Sequence, residues 1–498
     1  MRRQFSVVLS AVPRIQLADG SNRSYLKSET LKSADDKTEA VPARAWRALF
    51  VASLGTILVG FNTTATNIAL DDIQRGFPGV SAADVGWGVA IFFIGTAAFL
   101  PLCGRLADKI GRKKIFQMGL LLFALSAVFS ATSPSVWLLN LSRLLQAFAG
   151  AAILPSSLAL VLPLFPESRR TAAVGLWSAA GPLAAAIAPS AAAFILSIGG
   201  WRMVYLVSAP VALLLFISAL FFLDEVLVNK NRQRLDVLGA AAGTIAIAAV
   251  VTAIMQGRLW GYSSVATVGV AALGAFSLVL FVVNSLRHPE PLLNLKLLRR
   301  RGVWVTNLAN FLIGISSQSI WLVWPFFMKN VWDYSTVGIG VGLTVGPVAA
   351  FTSIIIFSRV ADRVGPIRLC RLGACLQILA IGWQLVRLGS DVNYWADLAP
   401  GIMLFGFGWG MSVPLLNGIA LAWVEESFFG ETNGLFSTVR YASAAIGTAA
   451  VFAILTTTVG ELALPYYDRI LGFFLVTTVL AALSLWIPIG KLSKSSDY

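Results

Sequence analysis

GRLADKIGRKK occupies residues 104–114, and SRVADRVGPIR follows 254 positions later at residues 358–368. Each is a short charged hinge squeezed between two hydrophobic stretches. Around them the chain is 57% hydrophobic and 12% charged over 498 residues, with a mean hydropathy of +0.78. That is about half the charge of an average soluble domain. Apolar runs long enough to cross a hydrocarbon core of about 30 Å recur along nearly the whole sequence. With no water to satisfy the backbone there, each run reads as a helix. The reading is an all-α polytopic membrane protein with fourteen spans, over 45–70, 85–104, 115–132, 136–162, 170–197, 203–223, 236–256, 264–286, 302–328, 336–358, 367–388, 396–424, 433–458 and 467–489.

Charge placement orients the spans. Of the 38 lysines and arginines, only Arg75, Arg202, Arg258, Lys329, Arg387 and Arg469 fall on the side away from the hinges, and Arg143 and Arg440 lie inside spans. The rest gather on the N-terminal tail and the hinge side, which the positive-inside rule makes cytoplasmic, so both termini are expected there and the location is a cell membrane. A net charge of +14 then reflects loops facing an anionic leaflet, with no nucleic-acid partner. Residues 1–44 read as a flexible cytosolic tail. The apolar stretch FSVVLSAV lacks the length and cleavage context of a signal peptide. Cys103, Cys370 and Cys375 form no spaced set, so neither a disulfide framework nor a metal site is indicated. No cofactor is expected.

The repeat extends past the hinge. GLWSAAGPLAAAIAP at 175 aligns with GLFSTVRYASAAIGT at 434. The chain therefore divides into a six-helix bundle over 45–223, an inserted hairpin of spans seven and eight with its linkers over 224–301, a second six-helix bundle over 302–489, and a tail over 490–498. Chance similarity of Ala/Gly-rich helices would account for the second match better than for the charged one. Two parallel six-helix repeats place a substrate site near the midplane between them, exposed alternately by rocking.

On these motifs the chain resembles the major facilitator superfamily, and within it the fourteen-helix drug:proton antiporter group. GRLADKIGRKK resembles the family's loop between helices two and three, LSRLLQAFAGAAILP at 141 its helix-four motif, and GWRMVYLVSAP at 200 the usual approach to helix six. The resemblance covers roughly 45–490 and implies secondary transport by alternating access. The expected cargo is an amphipathic or hydrophobic small molecule moved outward, by a monomer, with protons a candidate coupling ion.

The gate candidates are Gly104, Arg105, Asp108, Gly111 and Arg112 in the first hinge, with Asp362, Arg363 and Gly365 in the second. Glycine permits the tight turn, and an aspartate among bases can latch onto a neighbouring cation or helix N-terminus. The family resemblance implies that Asp108 holds the outward-facing state. The plainer reading is a topogenic basic loop. Pro366 stands where the first copy has Arg112, which weakens the second latch.

Pathway candidates are Asn62, Thr66 and Asn67 in span one, Arg143 and Gln146 in span four, Gln318 and Trp324 in span nine, Asn417 in span twelve and Arg440 in span thirteen. A guanidinium at membrane depth needs partners or water. Snorkelling is the alternative for the arginines, and packing or helix–helix hydrogen bonding for each amide and tryptophan. Helical spacing puts Asn62 with Thr66 and Arg143 with Gln146 on single faces. Gly181, Pro182 and Pro189 make up what remains of the family's glycine-rich helix-five pattern, where small residues allow close approach and proline a bend.

One departure matters. FNTTATNIALDDI (61–73) places Asn62 where the family carries a membrane aspartate, and asparagine carries no proton at physiological pH. All 24 acidic residues lie in tails, loops or helix ends. Coupling could have moved to Asp71, Asp72, Asp84, Glu425 or Glu426. Otherwise the chain is a uniporter or exchanger for neutral or anionic metabolites, or a non-transporting sensor. No HExxH or paired intramembrane aspartates occur and His288 is flanked by proline, so the chain is not read as an enzyme.

Overall fold

The computed structural model describes residues 41–178, 180–225, 236–425, 428–455 and 460–489, apart from the side chains at 167, 168, 171, 172, 178 and 362. The expected tails therefore lie outside the described residues except for 41–44, as do Glu426, most of the linker before residue 236 and the side chain of Asp362.

The first half contains α1 (Ala43–Arg75), α2 (Ala82–Ile110), α3 (Arg112–Thr132), α4 (Val136–Val161), α5 (Glu167–Ser178), α6 (Ala180–Leu206) and α7 (Ser208–Phe222). The hairpin is α8 (Val237–Trp260) with α9 (Val265–Arg287). The second half contains α10 (Arg301–Asn330), α11 (Thr336–Val364), α12 (Pro366–Arg387), α13 (Ala399–Ala422), α14 (Phe429–Ile454) and α15 (Leu464–Ser484). Thirteen helices among the described residues are long and apolar enough to span a bilayer, one of them running through Ala173–Leu206. The remaining crossing is α7, only 15 residues long. It is extended by the turn that starts at Trp201, after Gly200 breaks the helix at φ 65°. The sixth span thus begins at 201 instead of 203.

The hinges correct the expectation most. They are not turns: α2 stays helical through Ile110, and only Gly111 leaves the helix, at φ 123°. Likewise α11 runs through Val364, Gly365 turns at φ 95°, and Pro366 opens α12. A left-handed φ suits glycine alone, so one residue per half does the work expected of a loop. At Gly111 a Cβ would also sit 2.6 Å from the Glu225 carboxyl carbon, and that carboxylate accepts a 3.0 Å bond from the Lys113 amide at the start of α3. Starts on the opposite side follow serine caps, with Ser81, Ser135, Ser264 and Ser335 each accepting an amide of the first turn. The first span runs on to Arg75, past the expected 70, because Arg75 pairs with Asp71 at 2.8 Å and Asp72 at 2.6 Å one turn back.

Across the two halves α2 packs on α14 and α6 on α11, and α8 of the hairpin lies against both α14 and α2. Several of these cross-half contacts lie on the face opposite the hinges. There Gly340 meets Ala193 and the Pro189 carbonyl, Gly86 meets the ring of Phe452, and Ser190 shares a 2.7 Å hydrogen bond with Thr344. The antiparallel register continues through Phe93 and Tyr441, whose rings are 6.3 Å apart. Carried to the hinge face, it would set Gly104 opposite Gly430 and Gly434, yet a Cβ on any of the three would meet nothing within 4 Å. Gly175 and Gly181 on the α5–α6 stretch are equally open. The halves therefore meet on the far face and part on the hinge face.

Candidate functional site

At the level between the Gly86–Phe452 and Phe93–Tyr441 contacts, α1, α2, α4 and the start of the sixth span surround Arg143. Its side chain is 1% exposed. Nε donates to the Gly88 carbonyl at 3.3 Å, and Nη1 donates to Gln146 Oε1 at 2.6 Å and to Asn62 Oδ1. The guanidinium carbon lies 4.6 Å from the Phe92 ring and 5.8 Å from the Tyr205 ring. Gly88 is small for this reason: a Cβ there would fall 2.9 Å from Asn140 Oδ1 and 3.6 Å from Arg143 Cγ.

Three charge-assisted hydrogen bonds of about 1.5–3 kcal/mol each, with two aromatic faces, offset part of the cost of burying this cation. Among the described residues no carboxylate joins them. Two amides spend their oxygens on the guanidinium, leaving Asn62 Nδ2 and Gln146 Nε2 buried without a partner, and the Tyr205 hydroxyl is buried and unpartnered as well. Each such orphan costs about 1–3 kcal/mol. The centre is thus positive and rich in unused donors.

Of the residues singled out in the sequence, Asn62, Arg143 and Gln146 come together. Thr66 lies a turn above and donates to the Asn62 carbonyl at 2.8 Å. Asn67 lines a narrow crevice with Asp71, Asp72, Phe326 and Lys329 at the far face. Arg440 is half-buried, its guanidinium 5.7 Å from the Tyr441 ring, and Asn433, seven residues earlier on the same helical face, accepts from Asn417 at 2.9 Å. Gln318 is half-buried. Trp324 does not face open space: it is 1% exposed, donates to Gln384 at 3.1 Å and packs edge-on against Phe405. That makes it part of the second bundle's core.

In the hinge, Asp108 accepts from Arg112 at 3.1 Å, one turn along the chain, while Arg112 also donates to the Ala159 carbonyl at the end of α4. Arg105 reaches the Pro291 carbonyl at 2.7 Å. Arg363 is exposed. Pro189 serves the contact between halves, and Gly60 approaches Ala184 so closely that a Cβ would lie at 3.1 Å. Sequence reasoning missed Gly88, Phe92, Tyr205 and Gly340. Only the WRMVY motif marked the neighbourhood of Tyr205, and nothing in the chain pairs it with Arg143.

The family model of the Major Facilitator Superfamily matches residues 52–448. The chain belongs to this superfamily. Among similar proteins, the multidrug resistance protein Stp of Mycobacterium tuberculosis (strain CDC 1551 / Oshkosh) is 27% identical over 424 residues, covering 84% of this chain and 78% of its own. The puromycin resistance protein pur8 of Streptomyces alboniger is 29% identical over 478 residues, 91% of this chain and 93% of its own. The probable actinorhodin transporter of Streptomyces coelicolor is 29% identical over 466 residues, 87% and 77% of the two chains. Among solved structures, a D-xylose–proton symporter superposes with a TM-score of 0.66 at 16% identity, over 89% of this superfamily member and 97% of that chain. At that identity the likeness speaks for the fold.

Proposed function

We propose that this protein is a secondary exporter of amphipathic or hydrophobic small molecules, working by alternating access as a monomer in the cell membrane with both termini cytoplasmic. One observation carries the reading: two six-helix halves seal one face, at the level of a buried polar cluster, and part on the other. With the hinge side cytoplasmic, the state described is inward-open. Relatives named for multidrug and puromycin resistance support outward transport of such compounds. The Asp108 hinge is then the latch of the opposite state, in keeping with its pairing here, among the described residues, with Arg112 of its own hinge.

Proton coupling, if present, cannot use position 62. Asp71 and Asp72, beside Lys329 in the far-face crevice, are candidates in its place. Because Arg143 meets a neutral amide where an acid would be needed, uniport or solute exchange is the second reading. Proteoliposomes loaded with a panel of cationic, neutral and anionic amphipaths, with and without a pH gradient, test both. Flux that dissipates the gradient supports antiport through an acid at a helix end, and flux without proton movement supports the second reading. Ligand binding with no flux of any compound defeats transport altogether.

A further inference from the structure

We propose that the Arg143 cluster is a binding site for a small monovalent anion, which supplies the countercharge that Asn62 cannot. The acceptors on the guanidinium are three neutral oxygens, of Gly88, Asn62 and Gln146. Around them stand three buried donors without partners: Asn62 Nδ2, Gln146 Nε2 and Tyr205 Oη. A cation this deep is stable only beside an opposite charge or a full set of hydrogen bonds, and this one has neither. An anion seated against the guanidinium meets both needs at once. The side-chain amides then turn over about their terminal torsions, exchanging oxygen for NH₂, and the phenol gains an acceptor. A metal cation would do the reverse, since it would add positive charge beside the guanidinium.

The anion is either a halide from solution or the carboxylate of a transported solute; the chemistry recognised is the same. Asn62, Arg143 and Gln146 are enclosed in this state, at 0–1% exposure, so the anion enters as the surrounding helices part.

The test uses detergent-purified full-length protein and its thermal unfolding midpoint in sodium chloride, formate or benzoate, each against sodium isethionate, a bulky sulfonate, at equal ionic strength. A bound anion raises the midpoint with the logarithm of its concentration. Asn62→Asp builds the countercharge into the chain, so this variant should lose the anion dependence while keeping a midpoint at or above that of the anion-bound parent. Arg143→Gln should lose it as well; where that variant does not fold, Asn62→Asp decides. A rise with chloride assigns the anion to solution, and a rise confined to the carboxylates assigns it to the cargo. Equal midpoints in all four salts, or a shift that survives unchanged in Asn62→Asp, overturn the proposal. Because the readout needs no flux, a protein that binds anions but exports nothing would refute the exporter reading and leave this site standing.

Discussion

Gly340→Val should pry open the far face. A Cβ at 340 would lie 2.4 Å from the Ala193 Cβ and 2.5 Å from the Pro189 carbonyl oxygen. Neither can yield by a rotamer change, because one is a methyl group fixed to its backbone and the other is backbone itself. Overpacking of this kind costs about 1–3 kcal/mol, and it falls only on the state in which α6 and α11 touch. The ratio of far-face-open to far-face-closed protein should therefore rise about 5–150-fold. The reporter is Ile68→Cys, at a buried position lining the far-face crevice, on a Cys375→Ser background, since Cys103 and Cys370 are buried. A membrane-impermeant maleimide should react faster by that factor in Gly340→Val, and Ala193→Gly added to it should bring the rate back toward the parent. An unchanged rate in a folded variant would refute the reasoning that this contact is the seal.

Asn62→Asp should introduce or alter a pH dependence of transport, read as initial rate from pH 5 to 9 beside the parent; indifference would remove Asn62 from the pathway. Asp236 ties the base of the hairpin, accepting from Gly239 and Asn284 at 2.8 Å and from Leu292 at 3.1 Å. Asp236→Asn should cost about 1–3 kcal/mol in chemical unfolding. Burial pushes the Asp236 carboxyl up, but the bonds from Gly239, Leu292 and Asn284 outweigh it and hold the group below its ordinary value. Its contribution is then fully present above the unfolded pKa of about 4 and lost as pH falls through the lower folded value, so parent and variant should converge only in strong acid. Trp324→Phe should lower stability by about 1 kcal/mol through the lost bond to Gln384 while leaving substrate affinity alone; a changed affinity would return Trp324 to the pathway.

Much of this architecture was legible because membrane depth acts on every residue of a span alike. Apolar runs, charge on one side and the doubled hinge gave fourteen crossings in two related halves with a hairpin between. Helix ends were less legible, since they depend on single side chains: Arg75 prolongs α1 through two carboxylates, and Gly111 and Gly365 let α2 and α11 run through the charged motifs. The cluster was half legible. Helical spacing put Arg143 and Gln146 on one face, but which face meets Asn62, and that Phe92 and Tyr205 flank the guanidinium, depends on how four helices cross. Trp324 shows the converse: a polar aromatic at membrane depth has the composition of a pathway residue and the position of a core one. Its partner, Gln384, lies two helices away and left no mark in the sequence near it.

Alternating access is tested most directly by pulsed electron resonance between spin-label pairs on each face of the same protein in lipid nanodiscs. Ile198 with Val337 reports on the far ends of α6 and α11, and Leu176 with Ile356 on the hinge side; all four are exposed. In the state described, the far-face pair is close and the hinge-face pair apart. On adding an exported compound, or on shifting the balance with Gly340→Val, the far-face distance should lengthen as the hinge-face distance shortens. Distances that stay fixed, or that lengthen and shorten together, would contradict the account.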